Sequence, residues 1–211
     1  YQIASQNGDT TTLLNALNRL GVIMGGLGDA SEEEKCYQQV LDLALSVGNR
    51  ERAAAALNNL GALAGEQGEW QKSWDYYLRA LSISRETGAR HGEALHVTNL
   101  GLAAIQLGRH KAARDHLREG ARLAQEIGAQ PVLLSVMLYF GLLARAEGNL
   151  QHALELVGLA RKHPSWDSEN EREMLLYISE ADRTGDQALD AMRRGQFRDW
   201  DATLNEILVT S

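Results

Sequence analysis

The apolar positions of this chain keep the spacing of helices that are buried on one side. Trp70, Trp74, Tyr77, Leu78 and Leu81 fall at i, i+4, i+7, i+8 and beyond, which predicts one buried face of a helix over 70–87. Just before them, Leu57, Leu60, Gly61 and Ala64 predict a partner helix from about Arg50 to Gln67. Gly68-Glu69 reads as the turn between the two, and Gly88 as the stop of the second, since glycine accepts the left-handed conformation that closes helices. A glycine in mid-helix costs about 1 kcal/mol relative to alanine. Gly61 therefore calls for a reason, and the expected one is close approach of the two helix axes.

This two-helix pattern repeats. Leu20-Gly21, Leu60-Gly61, Leu100-Gly101 and Phe140-Gly141 stand forty residues apart. Gly28, Gly68, Gly108 and Gly148 keep the same step, as do Gly8, Gly48, Gly88 and Gly128. Twelve glycines in three registers, without insertion or deletion, define an internal repeat, and a repeat of this length means a stacked array. Four repeats are expected over about 8–47, 48–87, 88–127 and 128–162, which makes residues 1–162 the repeat region. The chain starts at Tyr1, already inside a repeat, as a piece cut from a longer polypeptide would.

In the first repeat Asp9 or Thr10 is expected to cap the first helix, and Ser31 with Glu34 has the spacing of a capping box. Pro131 suits the first turn of its helix, where a missing N–H had no partner. The fourth repeat is cut short at His163-Pro164, and beyond it the period is lost. Ser168 and Glu171 again suggest a capping box, opening a helix with Met174, Leu175, Ile178 and Ala181 on one face. Gly185-Asp186 begins a short helix through Met192 that Gly195 ends, and a last amphipathic helix carries Trp200, Leu204, Ile207 and Leu208. Residues 163–211 are thus expected to be capping helices, because the last repeat of an array has a face without a neighbour.

Composition narrows the function. With 44% hydrophobic and 23% charged residues and only two prolines, the chain is an ordinary globular sequence rich in helix formers. A net charge of −7 disfavours direct contact with nucleic acid, which needs a basic face. The single Cys36 excludes an internal disulfide framework and a multi-cysteine zinc site. It reads as a packed thiol in a reducing compartment. No apolar run approaches a membrane span, and no leader pattern precedes the first repeat.

No phosphate loop is present, and Met24-Gly25-Gly26-Leu27-Gly28 ends a helix instead of following a strand. His91, His96, His110, His116, His152 and His163 offer no metal spacing. Glu32, Glu33 and Glu34 complement a helix start. No catalytic residue, metal or cofactor is expected, and the chain is read as a non-enzyme.

The repeat resembles the tetratricopeptide signature: bulky, Leu, Gly, then aromatic, small, aromatic and small positions. The second repeat supplies Leu57, Leu60, Gly61, Ser73, Tyr77 and Ala80, and the first Leu17, Leu20, Gly21 and Tyr37. The third supplies Val97, Leu100, Gly101, Ala113, Leu117 and Gly120, and the fourth Met137, Phe140, Gly141, Ala153, Val157 and Ala160. The step of forty exceeds the family's usual 34, and the closing proline is absent. This is similar to the long-repeat variant of spindle-orientation adaptors, kinesin light chains and the sensor arms of bacterial signalling ATPases and transcription regulators. The segments 159–166 and 191–195 resemble the ends of those arms. HEAT repeats have a similar period but lack the Leu-Gly and small-residue registers.

The resemblance implies an all-α, right-handed superhelix of four helix-turn-helix repeats with a C-terminal helical cap. It also implies a concave groove lined by the first helix of each repeat. In the spindle-adaptor relatives, the asparagine before the Leu-Gly pair grips the backbone of a bound peptide. The matching positions here are Arg19, Asn59, Asn99 and Tyr139. An amide both donates and accepts, so it can pair with a peptide group without reading its side chain. Arg52 and Glu66, His96 and Gln106, and Thr12 and Asn15 are expected one turn away on the same face. The expectation is a cytoplasmic module that binds a protein or peptide, probing neither nucleic acid nor membrane, as the sensor or scaffold part of a larger signalling protein. An oligomerisation arm, or a small-molecule-sensing arm of an upstream ATPase or regulator, stands as the alternative.

Overall fold

The computed structural model describes residues 10–209, and within them every regular element is a helix. The cap expected at Asp9 lies outside the described residues. Two compact units divide the chain, Tyr1–His96 and Val97–Ser211. The first holds α1 (Thr10–Gly26), α2 (Ala30–Ser46), α3 (Arg50–Glu66), α4 (Trp70–Thr87) and the first turns of α5 (Arg90–Gln106). The second holds the rest of α5, then α6 (His110–Ile127), α7 (Gln130–Ala146), α8 (Leu150–Arg161), α9 (Ser168–Tyr177), α10 (Glu180–Arg183), α11 (Asp186–Gln196) and α12 (Trp200–Val209).

Successive helices pack on one another within each unit: α1 on α2, α2 on α3 and α3 on α4 in the first, α6 on α7 and α7 on α8 in the second. This is the sequential packing of a tetratricopeptide-like helical solenoid. The helices end where the glycines require. Gly28, Gly48, Gly68, Gly88, Gly108, Gly128 and Gly148 all have φ between 68° and 86°. At Gly48 the turn is a Schellman motif: Asn49 N–H donates to the Ala44 carbonyl at 2.8 Å and Gly48 N–H to the Leu45 carbonyl at 3.1 Å.

The starts differ from expectation. Asp29, not Ser31, caps α2, accepting from the Glu32 N–H at 3.1 Å. Asn49 and Asn149 do the same for α3 and α8. At α9, Asp167 and Asn170 exchange side-chain to backbone bonds, one residue ahead of the expected Ser168 box. In each case the shorter Asx side chain outside the helix reaches the free N–H groups, and the serine is already inside it.

The first unit buries Leu14, Leu17, Tyr37, Val40, Leu41, Ala44, Ala53, Ala56, Leu57 and Leu60 in one core. The Leu-Gly registers seat a side chain more than a helix axis. A Cβ at Gly61 would stand 2.7 Å from Cε1 of Tyr77, and one at Gly21 2.7 Å from Cε1 of Tyr37. The glycine therefore leaves room for the ring of the second helix. In the second unit a Cβ at Gly101 would stand 2.5 Å from the Leu117 side chain, and of these four registers only one at Gly141 would meet backbone first, the Ala153 carbonyl at 3.2 Å. Leu78, expected on the buried face of α4, is 42% exposed, and Leu175 of α9 is 45% exposed. Met174 and Ile178 are buried, and the Ala181 side chain lies outside the described set.

The tail after Arg161 covers α8. α11 packs along it, and Gly195, expected to end that helix at its close, lies within it. A Cβ at Gly195 would collide with the Glu155 carbonyl, and one at Gly158 with the Met192 carbonyl. The two helices are thus in backbone contact, which buries Leu154 and Val157 of α8 at 1% and 0% exposed. In α12, Leu204 and Ile207 are buried, and Arg118 Nε donates to the Ile207 carbonyl at 2.9 Å.

Gly61→Ala should lower stability by ~1–3 kcal/mol, because the Tyr77 ring has no room to retreat in a packed core. Gly26→Ala, in helix and with nothing within 4 Å, should be neutral or slightly stabilising. Urea unfolding midpoints of the two variants check this; equal midpoints would mean that the ring does not need the glycine.

Candidate functional site

A cleft of ≈ 450 Å³ opens in the first unit between α3 and the first turns of α5, with the end of α4 beneath. Helical phase explains its wall. Leu57, Leu60 and Gly61 turn into the core, so Ala55, Asn58 and Asn59 turn partly outward from α3. Across from them stand His91, Leu95 and His96 of α5, with Ser84 and Thr87 from α4 and Glu51 at the rim. Ala54, Ala55 and Leu95 give the cleft apolar surface; amide, hydroxyl, imidazole and carboxylate groups surround it.

Asn59 is half-buried, and its Nδ2 donates to Oδ1 of Asn18 on α1 at 3.1 Å. That bond holds the amide plane and leaves its carbonyl oxygen to define the wall. His96 lies at the same cleft but is only 3% exposed, with Nδ1 3.1 Å from Ser84 Oγ. Burial drives its pKa down to about 4, the bond to the Ala80 backbone opposing this. The ring is therefore neutral at pH 7. Gly92 makes this possible, since a Cβ there would stand 2.7 Å from Ser84 Oγ.

The other sequence candidates are spread more widely. Arg19, Asn15 and Thr12 are exposed on α1, and Glu66 is exposed near the end of α3. Glu66 and Tyr37 act on Glu33, whose pKa is raised chiefly by burial. Arg52 is half-buried on α3 and does not line the cleft. In the second unit Asn99 is half-buried and engaged with neighbouring groups, and Gln106 is exposed. Tyr139 is 4% exposed, and its hydroxyl donates to a carboxylate oxygen of Glu173 on α9. The structure thus brings Asn59 and His96 to one cleft, and in the second unit places Tyr139 under α9.

Asn18, Asn58 and Glu51 were not singled out from the sequence, and His91 was weighed there only as a metal ligand. The Asn18/Asn58 pair was legible, because these asparagines stand forty residues apart, one position ahead of the Arg19/Asn59 register. Cys36 is a free, buried thiol with its pKa raised by burial. Among the described residues, no three His, Cys, Asp or Glu side chains gather as a metal site, and no helix is long and apolar enough to cross a membrane.

Comparison with known proteins agrees with this geometry. Residues 52–126 match the family model of the tetratricopeptide repeat. Its fold is similar to the crystal structure of BtubC (BKLC) from P. vanneervenii, at 18% sequence identity and a TM-score of 0.67, covering 98% of this chain and 84% of that one. No curated protein matches the chain in sequence.

His96 makes stability depend on pH. An unfolded histidine titrates near 6.5 and the folded one near 4, so between these values the unfolded chain binds a proton that the folded chain refuses. This contribution to stability is fully present above pH 6.5, falls as the pH drops toward 4 and is lost below it, a cost of roughly 3 kcal/mol. Urea midpoints from pH 7 to 4 should fall less steeply in His96→Gln than in the wild type. Parallel curves would mean that the ring is charged in the folded chain.

Proposed function

We propose that this chain is a non-enzymatic interaction module that holds an extended peptide or a helix of a partner protein in the α3–α5 cleft. Tetratricopeptide repeats serve protein–protein interaction, and their fold is typically non-catalytic. The observation that carries the reading is the Asn59 amide, fixed by Asn18 beside the apolar surface of Ala54, Ala55 and Leu95. Such a wall offers a peptide group both bonding senses together with a dry contact for a side chain. The arrangement suits a cytoplasmic sensor or scaffold segment of a larger signalling protein, with Arg19, Asn15, Arg52 and Glu66 as further candidates on the first unit and Asn99 and Gln106 on the second, whereas Tyr139 is covered by α9 and does not meet a partner. The acidic balance of −7 favours partners other than nucleic acid.

A second reading has one observation in its favour. At ≈ 450 Å³ the cleft falls within the size of small-molecule sites, about 300–1,000 Å³, and mixes apolar surface with a few polar groups. A metabolite-sensing arm would use the same residues. Self-association through this cleft has no comparable support.

Asn59→Ala should weaken partner binding while leaving the fold intact. A lost hydrogen bond that leaves a buried peptide group unpaired costs ~1–3 kcal/mol, or roughly ten- to a hundredfold in affinity. Partners captured by the wild type are identified, and their purified binding segments are titrated calorimetrically against wild type, Asn59→Ala and Leu95→Glu. Equal affinities for all three would remove the cleft from the account. A captured small molecule in place of a peptide would favour the second reading.

A further inference from the structure

A cavity of ≈ 540 Å³ lies wholly within the second unit and shares no residue with the α3–α5 cleft. α6 contributes Arg114 and Arg118 to it, α7 contributes Phe140 and Glu147, and α8 contributes His152. α12 packs on α6 and completes the wall with Glu206 and Ile207. The size falls within that of small-molecule sites, about 300–1,000 Å³.

Both carboxylates of the wall already have a cation. Glu147 is ion-paired with Arg114, and Glu206 with Arg198. Arg118 has no carboxylate partner among the described residues. Its Nε donates to the Ile207 carbonyl at 2.9 Å, one of the last four carbonyls of α12, which have no partner within the helix. That bond fixes the guanidinium and uses one of its five N–H groups, so the Nη fork is left over. The side chain is half-buried, which withdraws this unpaired cation partly from water. His152 is half-buried too, and its ring has no hydrogen bond among the described residues. Burial and then the Arg198 guanidinium lower its pKa, while Glu155 and Glu206 act against them. The ring is therefore neutral at pH 7 and keeps one N–H to donate.

We propose that this cavity binds a small monocarboxylic acid with an apolar tail. The Arg118 fork takes the carboxylate, His152 adds a donor, and the tail lies against Phe140, Leu143 and Ile207. A planar carboxylate matches one guanidinium bidentately. One unpaired cation suits one negative charge. A doubly charged phosphate would need a second, and Arg114 and Arg198 are both engaged. An uncharged ligand would leave the guanidinium unanswered. Because Arg118 also holds the Ile207 carbonyl, an anion on its fork steadies the contact of α12 with α6. Binding and the anchoring of the last helix are thereby coupled through one side chain.

The test uses hexanoate as the probe. It is titrated at pH 7 into the 211-residue chain and followed by backbone amide NMR shifts, beside hexanol and inorganic phosphate. Hexanoate should give saturable shifts in α6, α8 and α12 and slow amide exchange over Ala202–Val209. Hexanol and phosphate should each bind about tenfold or more weakly. Arg118→Lys keeps a cation but loses the fork, and should weaken hexanoate by about tenfold. His152→Leu removes the second donor and should weaken it severalfold. No saturable shift with hexanoate would overturn the proposal. Equal binding of hexanol would reduce the site to an apolar cavity, and tighter binding of phosphate to a general cationic surface; either result overturns it as well. Should Arg118→Lys release α12, seen as fast exchange over that helix, His152→Leu decides. A severalfold loss of hexanoate affinity there supports the proposal, and an unchanged affinity overturns it.

Discussion

A tyrosine ring laid on a glycine sets the geometry of the first unit. The Tyr37 ring occupies the space beside Gly21, and the Tyr77 ring the space beside Gly61. Each ring is nearly fully buried and needs a place where the opposite helix has no Cβ. Once the ring is seated, the phase of the first helix follows: Leu57 and Leu60 face the core, and Asn58 and Asn59 turn toward the cleft. The polar wall is thus a consequence of the packing. The second unit meets the same need with smaller partners, a leucine at Gly101 and a backbone carbonyl at Gly141.

The parts of this fold that local chemistry dictates were legible in the sequence. A glycine after each helix demands left-handed φ, so the bounds of α3 and α4 follow within a residue or so from Gly48, Gly68 and Gly88. Glycine has a second use, however, which the sequence does not separate from the first. Gly195 looks like a helix end and is a contact point, because it stands in the aperiodic tail and what it touches, the Glu155 carbonyl, lies back on α8 of the fourth repeat. Serine and Asx residues posed a similar ambiguity at Ser31 and Ser168. There the neighbouring Asp29 and Asp167 take the cap.

The site was legible by register and no further. Asn59 stands where the repeat pattern puts it, but its bond to Asn18 depends on the packing of α1 near α3, which no single repeat contains. Tyr139 shares its register and is covered by α9, a helix outside the repeat. His96 reads as a polar surface residue and instead sits in the packing, because Ser84 and the gap at Gly92 give the ring a bonded berth. A buried neutral imidazole gives the cleft a floor that stays uncharged at pH 7, which keeps the apolar contact dry.

Hydrogen exchange of the chain in complex with a captured partner bears most directly on this account. If the α3–α5 cleft holds the partner, amides of Glu51–Asn59 and Arg90–His96 should gain protection together, while those of α11 and α12 stay as they are in the free chain. Protection confined to the tail helices, with the cleft amides unchanged, would contradict it.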